Sequence, residues 1–338
     1  MPLNIIRNDI TRVEADAIVN TANPLAMVGA GTDRAIYDAA GREALLAERT
    51  RIGEITPGQA VYTKAFALKA KYIIHTVGPE WLGGGHHERE TVASCYRNSL
   101  DLADELGCET VAFPLISTGT YGFPKDEALR IAVDEISSFL FSHDMTVFLV
   151  VYDKESFVIS GKAFADIKSY IEDNEIRTVS HSERNADRRR NMMRKDMPEP
   201  EGSQKALKSA SKPYKKLSIN DIISMKEDTF QQVLFRIIDR KGLTDPEVYK
   251  KANLDRKLFS KIRSDVEYTP SKRTVMALII GLELNMDEAA DLLKRAGYSF
   301  SPSDLSDLTV KACIEQRMYN IHMVNCYLFD LGQKTLGA

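Results

Sequence analysis

No apolar run in this sequence approaches the roughly 18 to 20 residues that a membrane-spanning helix needs. The opening segment MPLNIIRNDI also carries no hydrophobic stretch of the signal-peptide kind. Both absences predict a cytoplasmic protein with no membrane partner. Cysteine is scarce: Cys95, Cys108, Cys313 and Cys326 are the four, without a Cys-x-x-Cys spacing, and are read as reduced core thiols. The pair His86 and His87 stands in the loop WLGGGHHERE without the separated partners of a tetrahedral zinc site, so no metal and no cofactor is expected. Charge of either sign is in no large excess: 45 Lys and Arg face 48 Asp and Glu, a net of −3 that gives no global attraction to nucleic acid. There is no internal repeat. No GxxxxGK[ST] run is present either, which argues against a nucleoside triphosphatase.

What is there suffices for about two domains: 338 residues, 43% of them hydrophobic. Up to about residue 175, short apolar runs alternate with segments of helical period. Short strands punctuated by polar residues are expected from Ile5 to Asn20, among them Ala17 to Val19, then two strands within GQAVYTKAFALKAKYIIHTVG, one in ETVAFPLIS and one in MTVFLVVYD. Helices are expected from about Thr32 to Ala47, Glu88 to Leu106 and Lys125 to Ser142, with another closing SFVISGKAFADIKSYIEDN. This order predicts a three-layer α/β/α fold with a mixed sheet and ligand loops at strand ends. Residues 176–217 are rich in charge, Ser and Pro and poor in large apolar groups, which predicts a flexible linker. Arg188, Arg189, Arg190, Arg194 and Lys195 within it suit either a solvated tether or a nucleic-acid contact. Residues 218–338 read as an all-helical domain. Its stops fall at Gly242 and Gly297, one start at Ser271, and the last two helices begin near Ser303 and Gln316.

The centre of the first domain is AIVNTANPLAMVGAGTDRAIYDAAG, from Ala17 to Gly41: a strand, an Asn pair, a glycine-containing loop, an acid and a helix. Gly29 and Gly31 let backbone N–H groups approach an anion, and the positive end of the following helix favours it. Asn20 and Asn23 offer donors and acceptors suited to a ribose. PLISTGTYGFP, from Pro114 to Pro124, adds a second loop rich in glycine and hydroxyls, which is otherwise a plain tight turn. With Asp9 in NDIT and the run KAKYIIHTVGP, these motifs resemble the macrodomain family, in its branch of ADP-ribosyl-hydrolases, over roughly residues 1–175.

The resemblance implies ADP-ribose, or a mono-ADP-ribosylated protein, as ligand. It implies that Asp9, with Ile10 beside it, accepts from the adenine amino group, though an acid there is otherwise a turn or cap residue. Tyr152 would stack on adenine, or pack in the core. Ser117, Thr118, Gly119, Thr120, Tyr121 and Gly122 would form the diphosphate loop. Asn20, Asn23 and Asp33 would surround the distal ribose as the catalytic group. In that group Asn23 would bind hydroxyls, and Asp33 would orient the ribose or take a proton from an attacking water; a plain helix-start acid is the other reading of Asp33. The implied activity is metal-independent removal of mono-ADP-ribose from acidic side chains, or deacetylation of O-acetyl-ADP-ribose. One departure stands out. Hydrolytic members usually read GGGGVDG with a His four residues beyond the Asp, whereas this chain reads VGAGTDR, with Val28 and Ala30 at glycine positions and Tyr37 in place of His.

The run from Leu254 to Gly297 resembles the helix-turn-helix of phage-repressor-type domains. That resemblance implies a recognition helix bearing Arg256, Lys257, Lys261 and Arg263, diluted by Asp255, Asp265 and Glu267. A DNA partner and a protein partner are both open. The alternative to an enzyme is therefore an ADP-ribose sensor whose helical domain binds one of them, including an antitoxin-like role.

Overall fold

The computed structural model describes residues 2–152, 164–172 and 228–337. The segment read as a linker lies outside them. Six strands form one mixed sheet in the order β1-β6-β5-β2-β4-β3: β1 (Leu3–Arg7), β2 (Ala17–Thr21), β3 (Ala60–Lys64), β4 (Tyr72–Thr76), β5 (Thr110–Phe113) and β6 (Thr146–Val151). Only β3 runs antiparallel to its neighbour. The alternation along each strand decides the layers. Ala17, Val19, Ile74, Val111, Phe113, Val147 and Leu149 face α3 (Glu88–Glu105) and α4 (Lys125–Ser142). Ile18, Ile73, Ala112 and Val150 face α1 (Thr32–Ala40) and α2 (Arg42–Ile52).

The single helix expected from Thr32 to Ala47 is in fact α1 and α2. Gly41, at φ 103, ends the first with its N–H on the Tyr37 carbonyl and starts the second by accepting from Leu45. A side chain is strained at that φ, so the break is written in the glycine.

The remaining helices comprise residues 164–172 (α5), then α6 (Phe230–Lys241), α7 (Asp245–Lys251), α8 (Arg256–Ser264), α9 (Lys272–Gly281), α10 (Met286–Arg295), α11 (Leu305–Glu315) and α12 (Ile321–Asp330). Caps set most starts. Thr229 and Asn285 make capping boxes, and Ser271 accepts from the Thr274 N–H. The last helix begins at Ile321 rather than near Gln316, because Arg317 at φ 56 breaks the chain and Asn320 caps the new start. From Thr274 to Gly281 every residue of α9 is buried, making it the axis of this bundle. Gly281 belongs there because a Cβ would lie 2.7 Å from the Ala252 backbone nitrogen.

Although read with the first domain, α5 packs Phe164, Ile167 and Ile171 into the helical core, with Phe164 stacked on Tyr327 at 5.3 Å. Helix α12 serves both cores. Val324, Tyr327 and Leu328 pack with the bundle, Cys326 and Phe329 with the sheet core, and Met323 with both. The α7–α8 turn reaches the sheet as well. The Asn253 side chain accepts from the Leu3 N–H at 2.9 Å and donates to the Leu3 carbonyl at 3.1 Å. Among the described residues, no helix is long and apolar enough to cross a membrane.

Candidate active site

Two cavities of about 350 and 370 Å³ open side by side at the C-terminal ends of the parallel strands, sharing Gly31 and Thr32 at the start of α1. In a parallel sheet this is where loops and helix N-termini converge. The second cavity is largely apolar. Asp9, Ile10, Ala35, Pro114, Val150 and Tyr152 line it. Asp9 Oδ1 caps the short 3-10 turn by accepting from Thr11 N at 2.9 Å and Thr11 Oγ1 at 2.7 Å. Its other oxygen has no partner among the described residues, so the cap and a ligand contact are compatible. Tyr152 is 73% exposed, which rules out core packing and leaves its ring on the cavity rim.

The first cavity is polar, and its floor is the loop after β5. Tyr96, fully buried on α3, fixes the start of that loop: its hydroxyl donates to the Pro114 carbonyl and accepts from the Ile116 N–H, both at 3.1 Å. Ser117 then turns with φ 63 and Gly122 with φ 66, and the loop closes through Phe123 N on the Ser117 carbonyl. Among the described residues nothing accepts from the N–H groups of Thr118, Gly119, Thr120 or Tyr121, and all four residues line the cavity. Successive backbone donors of this kind make an anion site. The buried Ser117 hydroxyl likewise has no protein partner. Lys125, at the positive end of α4, completes this side. Gly122 shapes the turn but does not line the cavity.

The opposite wall carries Asn23 and Asp33. Asn23 Oδ1 accepts from Leu25 N at 3.1 Å, which leaves its amide donors for a ligand. Asp33 is 2% exposed; Oδ1 accepts from Asn20 Nδ2 at 2.6 Å and Oδ2 from Gly29 N at 2.5 Å. Burial pushes its carboxyl above the ordinary value, against the pull of Asn20, Gly29 and the Arg49 charge. Asn20 itself does not line the cavity: it is fully buried behind Asp33 and holds it.

Comparison with known proteins follows the same division of the chain. The sequence profile of the Macro domain matches residues 19–132. An O-acetyl-ADP-ribose deacetylase of Cronobacter turicensis is 47% identical over 162 residues, which is 46% of this chain and 92% of the relative. This chain belongs to the macro domain family. A macro domain-containing protein of Methanosarcina mazei is 47% identical over 49% of this chain and 89% of its own length. Among solved structures, an Oceanobacillus iheyensis macrodomain with ADP aligns with a TM-score of 0.44 at 36% identity, covering 46% of this chain and 85% of that one. No family profile identifies the helical region.

In this macro domain the departures at 28, 30 and 37 have local explanations. Neither Val28 nor Ala30 is among the positive-φ residues, so the loop path does not demand glycine at either place. Val28 packs against the α1 side of the sheet, and the Ala30 methyl is exposed. Tyr37 is 1% exposed, its phenol pushed up to about 12 by burial and then by the Asp33 charge.

Sequence reasoning missed four supporting residues. Tyr96 and Lys125 are described above. Arg49 is 1% exposed and donates to the carbonyls of Gly53, Asn23 and Pro24, so it fixes the segment that carries Asn23. His75 bonds Asn20 from below. His75 is a single polar residue in an apolar run, a signal legible as an anomaly but not as a role, whereas Arg49 stands among Glu48, Thr50 and Arg51 and nothing local sets it apart.

Proposed function

We propose that this macro domain hydrolyses esters at the distal ribose of ADP-ribose, either the acetyl ester of O-acetyl-ADP-ribose or the ester joining ADP-ribose to a protein carboxylate. The single observation behind this reading is Asp33. A buried carboxylate with a raised pKa stands on the wall of the same cavity whose floor presents four unpaired backbone N–H groups.

With the diphosphate on that floor and adenine between Asp9 and Tyr152, the distal ribose would lie against Asn23 and Asp33. Asn23 would donate to a ribose hydroxyl. Asp33 would take a proton as a water oxygen bonds to the ester carbonyl carbon, and would return it to the ribose oxygen as the carbon–oxygen bond breaks. The products are ADP-ribose and a carboxylic acid. Relatives named for O-acetyl-ADP-ribose deacetylation favour the acetyl ester.

The test is single-turnover release of ADP-ribose from O-acetyl-ADP-ribose and from a protein mono-ADP-ribosylated on glutamate, for wild type, Asp33→Ala and Asn23→Ala. Calorimetric ADP-ribose binding is the control. Release by wild type and none by folded Asp33→Ala that still binds ADP-ribose is expected. Tight binding with no release from either substrate by wild type would replace the hydrolase with a sensor.

One contact favours sensing as a second role. Arg7, which ends β1 two residues before Asp9, lies over the Phe329 ring of α12 at 5.7 Å, so the segment that carries Asp9 leaves from a strand end that α12 contacts. Helix α8 exposes Arg256, Lys257 and Lys261, while Arg263 is paired with Asp245. A DNA or protein partner on that face is tested by measuring its retention with and without ADP-ribose.

A further inference from the structure

Behind Asp33 a chain of buried side chains crosses three strands. Asn20 lies two residues after Ile18, and His75 two after Ile73, so both face the α1 side of the sheet and sit opposite one another in the β2–β4 register. Asn20 Nδ2 is 2.6 Å from Asp33 Oδ1 and 3.1 Å from His75 Nδ1; His75 Nε2 is 2.9 Å from Thr63 Oγ1 on β3. Thr63, His75 and Asn20 are all 0% exposed.

The proton positions follow from the partners. The Asn20 nitrogen faces two acceptors only if it is the amide nitrogen, so His75 Nδ1 accepts and the ring proton sits on Nε2, donated to Thr63 Oγ1. Rotating the Asn20 amide would set its oxygen against the Asp33 carboxylate. Burial, followed by the Arg49 charge, holds the imidazole down to about 3, so it stays neutral through the working range.

We infer that Thr63 and His75 are positioning residues of the ester hydrolase: they fix the orientation of the Asn20 amide, which in turn keeps Asp33 aimed and ionised. The inference rests on the reading of Asp33 as the base. Its decisive group is the Thr63 hydroxyl, which touches no part of the cleft. Without that acceptor the ring proton moves to Nδ1, Nδ1–H turns the Asn20 amide round, and Asp33 loses a donor that favours its charged form.

The experiment compares wild type, Thr63→Val and Thr63→Ser as full-length proteins. Single-turnover release would be followed from pH 4 to 9 with O-acetyl-ADP-ribose, ADP-ribose affinity by calorimetry, and the His75 tautomer by ¹⁵N NMR of histidine-labelled protein. Charged or titratable groups acting on Asp33 are Arg49 on α2, Tyr37 on α1 and Tyr121 on the phosphate-side loop; all are unchanged in these variants. The expected result for Thr63→Val is a loss of rate of about 10- to 100-fold, the scale of a buried donor left without its acceptor. It comes with an acid limb moved to higher pH, ADP-ribose affinity unchanged, and recovery in Thr63→Ser. A Thr63→Val protein with the wild-type rate, acid limb and tautomer overturns the inference. So does an Nδ1–H ring in wild type, a measurement that needs neither a folded variant nor turnover. If wild type releases nothing, the hydrolase reading fails by itself, and the tautomer still decides whether the relay exists.

Discussion

Asn253 closes the outer edge of β1 by exchanging two hydrogen bonds with the backbone of Leu3, 250 positions away in the sequence. In the parallel pairing, the N–H and C=O of Leu3 point away from β6, so this edge would otherwise end in unpaired groups. One side-chain amide supplies the donor and the acceptor that a further strand would. Asn253 itself sits at φ 53, a conformation in which Asn is among the few tolerated residues.

Asn253→Ala should therefore destabilise the protein by about 1 to 3 kcal/mol, the cost of leaving buried backbone groups without partners. Urea unfolding followed by tryptophan fluorescence measures it; Trp81, the single tryptophan, reports from beside the sheet core. A midpoint equal to wild type would remove the edge closure from the account of stability.

The rate of ester hydrolysis should fall on acidification with a limb above the ordinary aspartate value, because burial raises the Asp33 pKa and only the carboxylate can take the proton. The sign for stability is the reverse. A raised folded-state pKa means that Asp33 contributes most below the unfolded value, about 3.9, and that this contribution is lost as pH rises through the folded value. A pH–rate profile flat down to pH 4 would exclude Asp33 as the base.

Tyr96→Phe keeps the ring and removes the hydroxyl that ties Pro114 to Ile116. About 1 to 3 kcal/mol of stability should be lost as those two buried groups lose their partner. ADP-ribose affinity should drop with it, since the loop they anchor lines the polar cavity. Thermal melts and calorimetry on the same preparation check both, and unaltered affinity would show that Ser117 and Gly122 shape the loop without help.

Ala30→Gly should leave hydrolysis and ADP-ribose affinity within about twofold of wild type. It should lower stability by roughly 0.4 to 1 kcal/mol, through the freedom glycine gives the unfolded chain. A large gain in rate would mean that the Ala30 methyl obstructs the substrate.

Local chemistry made the sheet and its loops readable from the sequence. The runs around Ile18, Ile73, Val111 and Val147 are buried on both faces and announce strands; Asp33 and Asn23 stand at fixed offsets from the first of them. What was not readable depends on long-range placement. Nothing near residue 253 signals that its amide meets Leu3, and nothing in YIIHTVGP tells that His75 faces Asn20 rather than solvent. The helix expected through Gly41 failed for a local reason: helical periodicity continues across a glycine whose φ the pattern does not register. Near residue 164 the apolar period was legible, but the core it joins was not, because Phe164 finds Tyr327 only after the last helices are in place.

The order of synthesis gives β1 an unusual wait. Its inner neighbour starts at Thr146 and its outer cover at Asn253, while α12, which lays Phe329 against Arg7, ends at Asp330. Chain emerging at about 5 to 20 residues per second therefore carries an unpaired apolar strand for many seconds before either side is filled. Closing such distant contacts is slow in itself. A ribosome halted between β6 and the α7–α8 turn would hold a sheet whose first strand is paired on one side and open on the other, so chaperone capture of stalled chains should persist through that window and end once the turn has emerged.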